Sequence, residues 1–242
     1  MSIARSLLYG VANLLHPRML WLMVWPMLVS LALWGTVAIA LWVRAAVWLG
    51  GILRQGLEMA PFIARLDLAD ATLVAANVVL FLLFVPLVYL TALFILGIFG
   101  MQAMVDHVAR RSYPDLERRR GGGLAGSIWN AFVALAGMAL LFIASLPLWL
   151  APPLWPLIMV AILGWGNQRL LRYDAVAEHA DGKEMERVLR GRRMPLYSLG
   201  VLLALIAYVP FLGFAAPVVF GLAFIHYLLG ALARERSVPK AD

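Results

Sequence analysis

Four long stretches of the chain, residues 19–43, 71–105, 124–168 and 194–233, contain no Asp, Glu, Lys or Arg. A helix needs about 20 consecutive apolar residues to cross the hydrocarbon core of a bilayer. Each stretch meets that length, so the sequence points to an integral membrane protein. Hydrophobic residues make up 64% of the chain and charged residues 14%. A soluble domain averages about 45–50% apolar and about 25% charged, because much of its surface must face water. The expected fold is therefore an all-α polytopic membrane protein, read as a single membrane domain over 1–242.

The stretches differ in kind. Residues 19–43 make one full transmembrane helix, with Trp21, Trp25 and Trp42 near its ends as interfacial aromatics. Residues 71–105 are too long for one straight span and too short for two. They are expected to form one long helix, bent or tilted near Pro86. The third and fourth stretches are interrupted midway, by Pro147, Pro152, Pro153 and Pro156 and by Pro210, Gly213 and Pro217. Each reads as a helical hairpin, 124–168 and 194–233. Arms of about 14–18 residues fall short of a full span, so at least one hairpin is expected to enter the membrane only part way.

Between these stretches lie the remaining segments. Residues 1–18 predict an interfacial amphipathic helix, with Ile3, Leu7, Leu8, Val11, Leu14 and Leu15 on one stripe and Arg5 and Asn13 off it. Residues 44–70 are expected to be an external loop and 106–123 a cytoplasmic loop. Within 169–193 a short cytoplasmic helix should start at Asp181-Gly182-Lys183-Glu184, which has capping-box spacing. Gly121-Gly122-Gly123 reads as a flexible joint; without a following Lys-Ser or Lys-Thr it is not a phosphate loop. Seventeen basic residues fall in the segments on the N-terminal side of the membrane, against Arg44, Arg54 and Arg65 on the other. The positive-inside rule then makes both termini cytoplasmic.

The net charge of +7 does not indicate nucleic acid, which needs a continuous basic face on a soluble domain. Anionic lipid headgroups are the expected neighbours of this basic charge. The chain has no cysteine, and its histidines, His16, His107, His179 and His226, lack metal-ligand spacing. No hydrolase or metalloprotease motif occurs, so neither enzyme activity, metal nor cofactor is expected. The polar residues in or beside the apolar stretches are Asn77, Gln102, Asn130, Asn167 and Gln168, which suit hydrogen bonding between helices. Asn167-Gln168-Arg169 with Arg172 is the densest group. It reads either as a membrane-border anchor or as the lining of an anion-attracting vestibule. Arg18, just after Pro17 at the head of the first long helix, is either a topological anchor or an oxyanion ligand beside free helix donors.

A resemblance accompanies these readings. Arg172-Tyr173-Asp174, Lys183-Glu184-Met185 with Arg187 and Arg190, then Gly200, Pro210, Gly213 and Pro217, resemble the CysZ-type sulfate permeases. These are the bacterial branch of the superfamily that includes the etoposide-induced membrane proteins. His16-Pro17 and Pro26-Met27-Leu28-Val29-Ser30 support the likeness near the N-terminus. The resemblance implies a helical homo-oligomer of the bacterial inner membrane that admits sulfate for cysteine synthesis. It also implies an anion site at a Gly-x-Arg-Arg element opening the first long helix. The matching positions here are Arg18, Met19, Leu20 and Trp21, so Arg18 stands at the glycine and apolar residues at both arginines. The expected function is an inorganic-anion conduit, with Arg18, Asn167, Gln168, Arg169 and Arg172 as candidate anion ligands. The alternative is a non-transporting scaffold of the same fold that holds a partner or anionic lipid on its basic face.

Overall fold

The computed structural model describes residues 2–59, 69–209 and 212–237, and among them every regular element is helical. The helices are α1 (Ile3–Leu14), α2 (Pro17–Glu58), α3 (Ala69–Ser112), α4 (Leu124–Ser145), α5 (Trp155–Ala177), α6 (Gly182–Arg190), α7 (Arg193–Ala207) and α8 (Leu212–Ser237). α2, α3, the segment Ala125–Leu150 and α8 are long and apolar enough to cross a membrane. The protein is an all-α polytopic membrane protein.

The chain forms two compact units, Leu22–Ile98 and Met1–Trp21 with Phe99–Asp242. In the first, α2 and α3 are tied by side chains rather than by a large core. Trp34 Nε1 donates to Thr91 Oγ1 at 2.9 Å and Trp42 Nε1 to Asn77 Oδ1 at 2.8 Å. Apolar surfaces gain nothing by leaving lipid, so polar pairs and close backbone approach are what hold such helices together. Asn77 therefore bonds between helices, as its type suggests. Trp42, expected as an interfacial aromatic, is bonded to the neighbouring helix. Ile39, Phe81 and Leu82 point outward, as lipid-facing residues do.

Three boundaries depart from the sequence reading. The expected loop 44–70 is helical as far as Glu58, giving α2 42 residues instead of 25. Arg44 does not stop the helix because the apolar pattern resumes at once and no proline intervenes before Glu58; Arg54 pairs with Glu58 one turn on. Arg65 lies outside the described residues. α3 likewise runs past Asp106 to Ser112. The hairpin arms, expected at 14–18 residues, have 22 in α4, 23 in α5 and 26 in α8; only α7, with 15, is short. α5 continues through Gln168 to Ala177, so the first nine residues of 169–193 belong to the hairpin and the separate helix is α6.

The prolines act where expected in the first hairpin. Two 3₁₀ turns, Leu146–Leu150 and Pro152–Leu154, meet at the extended Ala151 and reverse the chain. In the second hairpin Pro217 lies inside α8, while Pro210 is outside the described residues.

In the second unit α8 is the hub. It is apolar around its circumference and is enclosed by α1, α5, α6 and α7, so Leu222, Phe224, Ile225, Leu228 and Leu229 are fully buried. Glycines set the distances. A methyl group on Gly10 of α1 would lie 2.8 Å from the Val219 carbonyl, and one on Gly200 of α7 would overlap the Gly164 carbonyl of α5. α1 thus uses its small polar face, Ser6, Gly10 and Asn13, against protein and leaves Leu8, Val11 and Leu15 exposed. That is the division an interfacial helix needs.

The triple glycine is not a flexible joint. The N–H groups of Arg120, Gly121 and Gly122 donate to the carbonyls of Glu178, Ala180 and Ala177 at 3.0, 2.9 and 2.9 Å. This zips the segment entering α4 to the turn after α5, with Arg120 in the left-handed region at φ 46°. A Cβ on Gly122 would stand 2.5 Å from Ala177 Cβ, whereas one on Gly182 meets nothing within 4 Å. Gly122→Ala should therefore lower stability by about 1–3 kcal/mol, the usual cost of overpacking. Gly182→Ala should be neutral. Melting of the detergent-solubilised protein checks both; equal melting temperatures would show that the zipper yields freely.

Candidate anion site

α2 opens in the order helix chemistry favours: His16 as cap and Pro17 in the first helical position, where its missing N–H costs nothing. The Arg18 N–H donates to His16 Nδ1 at 3.3 Å, and the His16 carbonyl accepts from Met19 and Leu20. The imidazole therefore satisfies a helix donor that would otherwise be free. Met19 is buried, while Arg18, Leu20 and Trp21 are exposed. Of the four positions carried over from the resemblance, Arg18 alone supplies charge at the surface.

Arg18 is not isolated. The His16 ring meets that of His107 edge-on, with centroids 4.7 Å apart, and Asn13 Oδ1 accepts from His107 Nε2 at 3.4 Å. Arg111 and Arg18 are among the charged groups whose fields reach His107. The polar tract continues along α1. Ser112 Oγ donates to the Tyr9 hydroxyl at 3.2 Å, and the Tyr9 ring stacks on His226 at 4.1 Å. Ser6 Oγ and His226 Nδ1 share a hydrogen bond of 3.3 Å, and the charge facing His226 is that of Arg5. Tyr113 donates from its hydroxyl to the His226 carbonyl at 3.0 Å. Burial pushes its pKa up to about 12, so it stays a donor at any physiological pH. Among the described residues, neither His107 nor His226 forms an ion pair with a carboxylate. The nearest acid in sequence, Asp106, is taken up by Arg118 and Arg110.

The tract thus combines guanidinium groups with hydroxyl, amide and imidazole groups where α1, α3 and α8 and the head of α2 meet. An anion loses hydration on leaving water and needs charged or polar donors in return. A carboxylate here would repel it, so a site without one favours anions over cations.

The other candidates lie elsewhere. Gln168 is buried on α5 and its Oε1 accepts from Arg172 one turn on at 3.3 Å. Asn130 of α4 donates to the Arg169 and Leu170 carbonyls, joining α4 to α5 as an interhelical polar residue should. Asn167 and Arg169 are half-buried on the same helix. Among the described residues, no hydrogen bond or ion pair links this group to Arg18. The structure therefore brings Gln168 and Arg172 together and leaves Arg18 with His16, His107 and Arg111. Sequence reasoning missed His107, Arg111, Asn13 and Tyr9 as companions of Arg18. The one available signal was their recurrence near the ends of two helices, α1 and α3.

A separate network ties together α6, the end of α8 and the segment before α4. Glu184 of α6 completes the expected capping box, accepting at 3.0 Å from the Asp181 N–H while its own N–H donates to Asp181 at 2.7 Å. Its carboxylate also accepts from Arg236 at 3.1 and 2.9 Å and from Arg119 at 2.7 Å. The Arg236 hydrogen bonds hold its pKa down at about 2. Arg236 further donates to the Glu117 and His179 carbonyls, so one side chain ties α8 to the segment before α4 and to the turn after α5.

No curated protein and no solved structure matches the chain. The model of one family, described as Sulfate transporter CysZ/Etoposide-induced protein 2.4, matches residues 6–217, from the polar face of α1 to the start of α8. The chain belongs to that family.

Proposed function

We propose that the protein is a conduit for an inorganic oxyanion, most simply sulfate, and that Arg18 with His16, His107 and Arg111 forms its entry site. The observation that carries this reading is the contact of His16 with His107 beside Arg18 at the head of α2, where neither histidine is ion-paired to a carboxylate among the described residues. The guanidinium of Arg18 offers forked donors to a tetrahedral anion, and Arg111 adds charge from the end of α3. The neutral donors along α1 and α8 then replace water as the anion loses its shell. In this reading the chain lies in a bacterial inner membrane with both termini cytoplasmic, as the distribution of basic residues favours. It works as a homo-oligomer and supplies sulfate for cysteine synthesis.

The experiment is sulfate uptake by proteoliposomes containing the purified protein. Arg18→Ala should weaken sulfate binding by about one to two decades, the equivalent of a charged hydrogen bond worth about 1.5–3 kcal/mol. Arg18→Lys should retain part of the affinity, because it keeps the charge and loses the fork.

A further inference from the structure

The hydroxyls of the polar tract are not equally committed. Tyr113 donates to the His226 carbonyl, and Ser112 donates to the Tyr9 hydroxyl. Tyr9 accepts that bond, and its own O–H has no acceptor among the described residues. A phenol can donate and accept at once, so one proton here is left without a partner. Its direction is restricted, because the Tyr9 ring is stacked on His226 with centroids 4.1 Å apart and planes 14° apart. Tyr9 is half-buried, so it is held by protein without being sealed off from water.

Arg5 stands beside it. Four residues separate Arg5 from Tyr9 on α1, which makes them surface neighbours with Cβ atoms about 5–6 Å apart. Long side chains on a helix lean back over the preceding turn. Ser6 shares a hydrogen bond with His226 while Tyr9 stacks on the same ring, so Tyr9 lies over the turn that carries Arg5. Arg5 is exposed and forms no ion pair with any described carboxylate. Its charge is among those whose fields reach His226 and Tyr113, and Arg234 at the end of α8 adds a second positive field at Tyr113. An unpaired guanidinium next to a fixed hydroxyl donor is a pairing that suits an oxyanion.

We infer that Arg5 and the Tyr9 hydroxyl form a second binding station for a tetrahedral oxyanion, about 12 Å along α1 from Asn13 and its contact with His107 at the Arg18 end. Arg5 supplies the charge and the fork, and Tyr9 supplies one directed proton. The station rests on the reading of the tract as an oxyanion path. Such a path favours several sites of moderate affinity over a single tight one, because the ion must leave each site as readily as it enters.

The test is calorimetric titration of the full-length protein in neutral detergent with inorganic sulfate. Arg18→Ala removes the entry site and should leave the residual sulfate binding of the second station. Adding Tyr9→Phe or Arg5→Gln to that background should weaken the residual affinity about tenfold or more. Tyr9→Phe keeps the ring and its stack on His226, so the fold is preserved. Ser112→Ala in the same background removes the same internal hydrogen bond but leaves the Tyr9 proton, and should weaken binding much less. Equal losses in Tyr9→Phe and Ser112→Ala, an unchanged affinity in Tyr9→Phe, or no residual binding in Arg18→Ala would each overturn the station and leave the Arg18 site standing. No sulfate binding by the folded wild type would overturn the oxyanion path and the station together. Arg5→Gln that loses phosphatidylglycerol binding but keeps sulfate binding would assign Arg5 to a lipid headgroup and overturn the station as well.

Discussion

Gly200→Val should disable the fold more than any other single substitution considered for this protein. The Gly200 Cα lies against the Gly164 backbone, and even a methyl group would overlap the Gly164 carbonyl oxygen. The obstacle is backbone, which cannot rotate aside as a flexible side chain can. α5 and α7 must therefore separate, and α7 also helps enclose α8. Overpacking costs about 1–3 kcal/mol where side chains adjust. Gly200→Ala should reach the top of that range and Gly200→Val exceed it. Gly35→Ala is the matched control, since a Cβ there meets nothing within 4 Å and the substitution removes a mid-helix glycine penalty of about 0.5–1 kcal/mol. Thermal melting and size-exclusion profiles in detergent should show Gly200→Val as aggregated or strongly destabilised and Gly35→Ala as wild-type or better. A Gly200→Val protein that melts with the wild type would refute the close crossing.

Arg236→Ala should be the next most damaging change. It removes four hydrogen bonds at once and leaves buried Glu184 with Arg119 as its one remaining guanidinium partner. Because Arg119 and the Asp181 N–H still hold the carboxylate, the loss should be that of charged hydrogen bonds, about 1.5–3 kcal/mol. The cost here falls on the packing of α6 and the end of α8. The pH dependence has a definite sign. Glu184 has a folded pKa of about 2, below the ordinary value of 4.5. Its stabilising contribution is therefore complete above about pH 4.5 and is lost as pH falls from there toward 2. The melting-temperature difference between wild type and Glu184→Gln should stay constant from pH 8 to 5 and shrink below 4.5. A difference that widened in acid would mean that the carboxylate is not the group held by Arg236.

How much of this was legible in the sequence depends on the distance over which each feature is decided. The four apolar stretches, the proline break of the first hairpin and the Asp181–Glu184 capping box are local, and each appears as its residues indicate. Helix ends were harder, because Arg44 and Asp106 look like borders while nothing in the local chemistry stops a helix there. The role of Gly121 and Gly122 was hidden because the partner strand of backbone lies more than 50 residues on. The tract around Arg18 was hidden for the same reason. Ser6 and His226 are 220 residues apart, and Asn13 and His107 are 94 apart. No spacing rule connects such residues until α1 is seen against α8 and the end of α3. Asn130 and Asn77 behaved as interhelical residues because a polar side chain among apolar helices has few other partners.

Radiolabelled sulfate uptake into proteoliposomes shows whether Arg18 and its neighbours admit an oxyanion. Uptake by the wild type should saturate, uptake by Arg18→Ala should fall by about one to two decades at subsaturating sulfate, and uptake by Arg18→Lys should be intermediate. Equal uptake by wild type and Arg18→Ala would contradict the site, and no uptake by a well-folded wild type would contradict the conduit itself.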